Sequence, residues 1–87
     1  MKTETEIRQT LREWVVKTNG KIHPQELDDE TPIIERRIIS SLQIMDLILF
    51  LERLSGRPID AEQLKVGVFR NINMIYRNFF QEVADGR

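Results

Sequence analysis

The sequence predicts an all-α fold, a small bundle of three main helices plus one short helix, with a long first loop. Three observations carry this. Apolar residues recur at three- and four-residue spacing in three separate segments. Each of these segments opens on a residue able to cap a helix. No stretch alternates apolar and polar residues as a half-buried strand would. The 87 residues allow one small domain, spanning 1–87, with a modest core.

The first helix is read from "TETEIRQTLREWVVKTNG", where Ile7, Leu11, Trp14 and Val15 share a face. Thr3 with Glu6 has the spacing of a capping box, and Asn19-Gly20 is a stop signal. The next segment, "KIHPQELDDETPIIERRII", is long and carries Pro24 and Pro32. It reads as an extended connection whose Ile33, Ile34, Ile38 and Ile39 are available to pin it to a core. The second helix is expected from about Ser41 to Leu54, ending near "SGRP". A short helix is expected at "DAEQLK". The last helix is read from "NINMIYRNFFQEV", with Asn71 as its cap and Ile72, Ile75, Tyr76, Phe79 and Val83 as its apolar stripe.

Composition narrows the function classes. Hydrophobic residues make up 40% and charged residues 31%, a globular balance. There is no cysteine, which excludes disulfides, thiol nucleophiles and cysteine-ligated zinc. A small domain without covalent staples is expected in the cytoplasm. The first ten residues lack the apolar core of a signal peptide, and the apolar run "LILFL" is too short to span a bilayer. With 13 basic and 14 acidic residues the net charge is −1, so no overall field steers the chain to nucleic acid or an anionic membrane. The charge is uneven, with 5 basic and 8 acidic residues in 1–35 and 8 basic and 6 acidic in 36–87. The acidic "ELDDE" reads as solvated surface.

Other candidate chemistry is sparse. His23 is the sole histidine, beside Pro24, with no partner for a catalytic triad or a metal site. Asp28, Asp29 and Glu30 lack the alternating spacing of a calcium loop. Trp14 and Tyr76 read as core. Arg70, Arg77 and Lys65 could touch phosphates, but the balanced charge argues against nucleic acid. Nothing in the sequence points to an enzyme or to a bound metal.

Ser40 and Ser41 stand at the mouth of the second helix. Ser40 with Gln43 has capping-box spacing, which makes Ser41 the first helical residue. A first-turn serine turns its hydroxyl outward beside unpaired backbone amides, where the helix end favours an attached anion. Two readings follow: both serines only start the helix, or Ser41 is also a place of attachment.

Beyond these patterns, residues 28–80 resemble the acyl carrier protein family, which includes peptidyl carrier domains. The family motif is Asp-Ser-Leu at the start of the second helix, and Ser40-Ser41-Leu42 occupies that place. "DDETPIIE" before it resembles the family's "DDTPLIE", and "MDLI" with Asp46 resembles the acidic run after it. "FLE", the pair Gly56 and Ile59, and the pair Phe69 and Ile72 fall in register. The resemblance implies a small bundle of three main helices and one short one. It implies a 4′-phosphopantetheine arm attached to Ser41 by a phosphopantetheinyl transferase (a holo-synthase). It also implies an acyl or aminoacyl group carried as a thioester to activating and transferring enzymes.

The departures are specific. Ser40 stands where the family has an aspartate that helps the synthase dock. Arg36 and Arg37 replace small residues, Arg53 stands where acidic residues are usual, and Ser55 replaces a common phenylalanine. They imply a specialised carrier, with Ser40, Leu42, Met45, Asp46, Glu52, Arg53, Arg36 and Arg37 as partner contacts. A carrier fold that has lost the arm and serves as a helical interaction module is the alternative. The second helix has more apolar residues than one stripe requires, so its extra positions line an acyl pocket, form a partner patch, or lie under the first loop.

Overall fold

The computed structural model describes residues 3–60, 62, 64 and 67–81, and these form an all-helical bundle without a strand. Helix α1 runs Glu4–Asn19, α2 runs Ile44–Ser55 and α3 runs Ile72–Tyr76. The expected short helix falls on 60–65, much of which lies outside the described residues, as does Val83.

Local chemistry sets the ends of α1. The Thr3 hydroxyl accepts from the Glu6 amide at 3.2 Å, and the Glu6 carboxylate accepts from the Thr3 amide at 2.9 Å. Two otherwise orphaned donors are satisfied at once. Gly20 closes the helix with φ 80°, a left-handed backbone that costs glycine little, and its amide donates to the Val16 carbonyl. Leu11 and Val15 are buried, while Ile7 and Trp14 pack partly against the core. Trp14 stacks on Phe50 of α2 with centroids 5.4 Å apart.

The first loop is not the extended connection its prolines predict. Pro24 opens a short 3-10 turn, Pro24–Glu26, where its missing N–H costs nothing. Residues 33–37 then fold as consecutive turns. The Ile33 carbonyl accepts from the amides of both Ile38 and Ile39, which bends the chain tightly enough to bury all three side chains. The loop is also sewn to the third helix and the turn before it: the Ile33 amide donates to the Arg70 carbonyl, and the Asn73 amide to the Asp29 carbonyl. The isoleucines therefore pin the loop as the sequence indicates, with much more local structure.

The start of α3 follows its sequence signal, since the Asn71 side chain accepts from the Met74 amide at 2.7 Å. The continuation does not. After Tyr76 the chain widens into a π-helical turn, Arg77–Gln81. The Asn78 side-chain amide donates to the Met74 carbonyl at 2.7 Å, taking the acceptor its own backbone would use in an α-helix. Insertion of a side chain into the ladder is a known cause of such widening. The turn still buries Phe79 and Phe80, and Phe79 stacks on Phe69 at 5.6 Å.

The acidic cluster also differs from its solvated reading. Asp29 is tucked between α1 and α3, where its carboxylate accepts from both Arg8 and Arg12. Arg8 further donates to Glu4 and Asn73 and lies over the Tyr76 ring, 4.7 Å from its centroid. Partial burial works against the Arg8 charge, but the bonds to Asp29 and Glu4 more than offset it and raise its pKa. Asp28 folds the adjoining turn: its carboxylate accepts from the Glu30 amide and the Thr31 hydroxyl. Those bonds to the charged form hold its pKa below the ordinary value of 3.8.

Candidate functional site

The segment leading to the two serines is fixed from both sides. Ile38 and Ile39 are buried, and the Asn19 side-chain amide donates to the Ile38 carbonyl at 2.9 Å. Asn19 in turn accepts from the amides of Lys21 and Ile22. One residue at the end of α1 thus ties that helix, the loop after it and the run into Ser40 together. In the sequence Asn19 is marked only as part of a stop signal.

Ser40 is extended, with φ −81° and ψ 165°, and is paired with Gln43 as the box spacing indicates, through the glutamine side chain. Its best-formed bond runs from the Ser40 amide to Gln43 Oε1, 2.9 Å. Ser41 opens a 3-10 turn, Ser41–Gln43, and its carbonyl accepts from the amide of Ile44, the first residue of α2. The helix proper thus starts at Ile44, three residues later than the sequence suggests, although the helical run begins at Ser41. Both serines are exposed, and the Ser41 hydroxyl takes no hydrogen bond among the described residues.

Helix α2 divides cleanly. Leu47, Ile48 and Leu51 are buried, and Ile44, Phe50 and Leu54 pack partly against the core. Leu54 lies beside Ser55, so apolar packing at this end survives without an aromatic residue there. Leu42 is 88% exposed, Met45 57% and Leu49 52%. The first loop, for all its isoleucines, does not cover them. At about 100° per residue, Met45, Asp46, Leu49 and Arg53 fall on one side of α2, opposite Leu51. Asp46 and Arg53 are exposed there. Asp46 in the first turn and Arg53 in the last also suit the helix dipole.

Four of the predicted partner contacts, Leu42, Met45, Asp46 and Arg53, are thus brought together with Ser41 at the head of the row. Leu49 belongs to the row and was not singled out; its three-residue and four-residue spacing from Asp46, Met45 and Arg53 was the available signal. Glu52 sits off it. It is half-buried, and its carboxylate accepts from the Ile59 amide at 2.7 Å, bracing the chain after α2.

Arg36 and Arg37 are exposed in the turn before Ile38. Arg37 has φ 60°, a left-handed backbone uncommon for a residue with a side chain. It is held there by its amide bond to the Ile34 carbonyl and by the paired bonds of Ile38 and Ile39 to Ile33. His23 is exposed, and its amide donates to the Glu26 carboxylate at the first 3-10 turn, an ordinary loop role.

Among the described residues no group of three histidine, cysteine, aspartate or glutamate side chains could hold a metal ion. No described helix is long and apolar enough to cross a membrane. No family model matches the chain, and no curated protein and no solved structure matches it.

Proposed function

We propose that this protein is a carrier that holds an acyl or aminoacyl group on a 4′-phosphopantetheine arm attached to Ser41, for partner enzymes of a specialised biosynthetic pathway. The single observation that supports it best is the Ser41 hydroxyl. It stands exposed, without a partner among the described residues, at the first position of the turn that enters α2.

The residues around it suit an attached phosphate ester. The Gln43 side chain accepts from the Ser40 amide and the Gln43 amide donates to the Ser40 carbonyl, so neither bond involves Ser41. The free amides of the helix start favour a negative group. The arm, when bound, supplies the thiol that a cysteine-free chain lacks. In this reading the chain is a substrate and scaffold rather than an enzyme, and tethering raises the local concentration of cargo at each partner. A phosphopantetheinyl transferase is the first partner, and enzymes that activate and transfer acyl or aminoacyl groups are the others. Ser40, Leu42, Met45 and Asp46 lie next to the attachment residue or in the first turn of α2, Arg36 and Arg37 precede it in the chain, and Arg53 stands in the last turn of α2, as contacts for them.

A second reading rests on the exposed apolar row. Leu42, Met45 and Leu49 would serve a helical interaction module equally well without any arm. Intact mass separates the two. Incubation with coenzyme A and a broad-specificity phosphopantetheinyl transferase should add the mass of one arm to the native chain and none to Ser41→Ala. A native chain that stays unmodified with several such transferases would leave the interaction module as the better account.

A further inference from the structure

We infer that the surface docking on α2 is an apolar patch rimmed by carboxylates, so that the partner enzymes are acidic where they meet this chain. The inference deepens the carrier reading and rests on it only for which enzymes dock.

The apolar half comes from burial. Three large side chains, Leu42, Met45 and Leu49, stand more than half exposed in one row while their helix neighbours are in the core. Single exposed apolar residues are ordinary, but a row beside the candidate attachment residue is a contact surface.

The charged half comes from the placement of the arginines. Ion pairs among the described residues involve only Arg8 and Arg12, both at the α1–α3 seam. Arg53 lies in the apolar row itself, and Arg36 and Arg37 precede it. Ser41 lies four positions after Arg37, at most about 14 Å along the chain. Rigid presentation strengthens the case: the left-handed Arg37 sits between buried Ile33 and Ile38, so the turn that displays the pair is anchored on both sides. A guanidinium held this way loses less freedom on meeting a carboxylate, and its planar fork suits bidentate pairing.

The segment before it has the opposite sign. Residues 35–57 carry four arginines against the three carboxylates Glu35, Asp46 and Glu52, and Glu52 is already bonded to Ile59. Residues 3–34 carry four basic against seven acidic side chains. An acidic partner is therefore drawn to the α2 end and turned away from the α1 side. Such complementarity sets orientation and encounter rate more than affinity.

The test uses two synthetic amphipathic helical peptides with the same leucine face, one flanked by glutamates and one by lysines. Each is titrated into isotopically labelled Ser41→Ala protein, which cannot take an arm, and amide shifts are followed by NMR. The glutamate peptide should shift Leu42, Met45 and Leu49 and bind at least about tenfold tighter than the lysine peptide. That preference should shrink as salt rises from about 0.05 M to about 0.5 M. In Arg36→Glu/Arg37→Glu/Arg53→Glu the preference should reverse, with an unchanged circular dichroism spectrum; Arg53→Glu alone gives the smaller change should the triple variant unfold. Equal or tighter binding of the lysine peptide, shifts confined to other faces, or no binding of either peptide would overturn the inference. Because no loading is involved, these outcomes stand apart from success or failure of the carrier reading.

Discussion

At the seam between α1 and α3, Arg8 and Arg12 converge on Asp29, and Arg8 also reaches Glu4, Asn73 and the Tyr76 ring. On the outward side of α2, Asp46 and Arg53 stand in solvent beside Leu42, Met45 and Leu49, with no ion pair among the described residues. The same residue types thus do two different things. At the seam, charge is spent inside the molecule, fixing how the first loop lies against the third helix. On α2 it is left available. The contrast separates side chains whose removal should loosen the fold from those whose removal should leave the fold intact and change only what the protein meets.

The sharpest way to break the comparison uses two leucines on one helix. Leu51 is fully buried, so Leu51→Ala should cost about 2–5 kcal/mol, enough to unfold much of a domain this small. Leu49→Ala, two residues away and 52% exposed, should change stability by no more than about 0.5 kcal/mol. Urea denaturation of both variants checks this; similar losses would mean that the outward row is in fact part of the core.

A smaller effect distinguishes the charges. Asp29→Asn keeps the shape but removes the carboxylate that two arginines share, and should cost about 1–2 kcal/mol, reduced by the partial exposure of the pair. Asp46→Asn should be neutral to within about 0.5 kcal/mol. Thermal melts at moderate salt decide it, and equal effects would dissolve the distinction between the two regions.

The smallest effect concerns Asp28. Its folded carboxyl titrates below the ordinary 3.8 because the Glu30 amide and Thr31 hydroxyl bond to its charged form. A lowered folded pKa contributes stability that is present above pH 3.8 and is lost as pH falls through the folded value. Thr31→Val removes one of the donors, so an NMR titration should place the Asp28 midpoint closer to 3.8 than in the native chain. An unchanged midpoint would leave the backbone amides of Glu30 and Thr31 as the cause.

Much of the helical frame was legible because its signals are local. Thr3 with Glu6, Ser40 with Gln43, Asn71 and Asn19-Gly20 each act within a few residues, and each does what its spacing indicates. Asp29 was not legible. Its arginines lie 17 and 21 residues away, and only the packing of α1 against the loop brings them together. The π-helical turn at Arg77 was hidden for a related reason: an apolar period of three and four residues does not reveal that Asn78 will take the Met74 carbonyl with its side chain. At the candidate site, Ser41 and most of the outward row of α2 were visible as a pattern. The inward role of Glu52 and the left-handed turn at Arg37 depended on partners that the sequence does not mark.

The most direct measurement of the central claim is tandem mass spectrometry of the tryptic peptide between Arg37 and Arg53, after the native chain has been treated with coenzyme A and a phosphopantetheinyl transferase. That peptide contains both serines and no others. The carrier account predicts one phosphopantetheine on Ser41, retained in Ser40→Ala at least in part and absent from Ser41→Ala. A peptide that stays unmodified, or one that carries the group on Ser40, would contradict it.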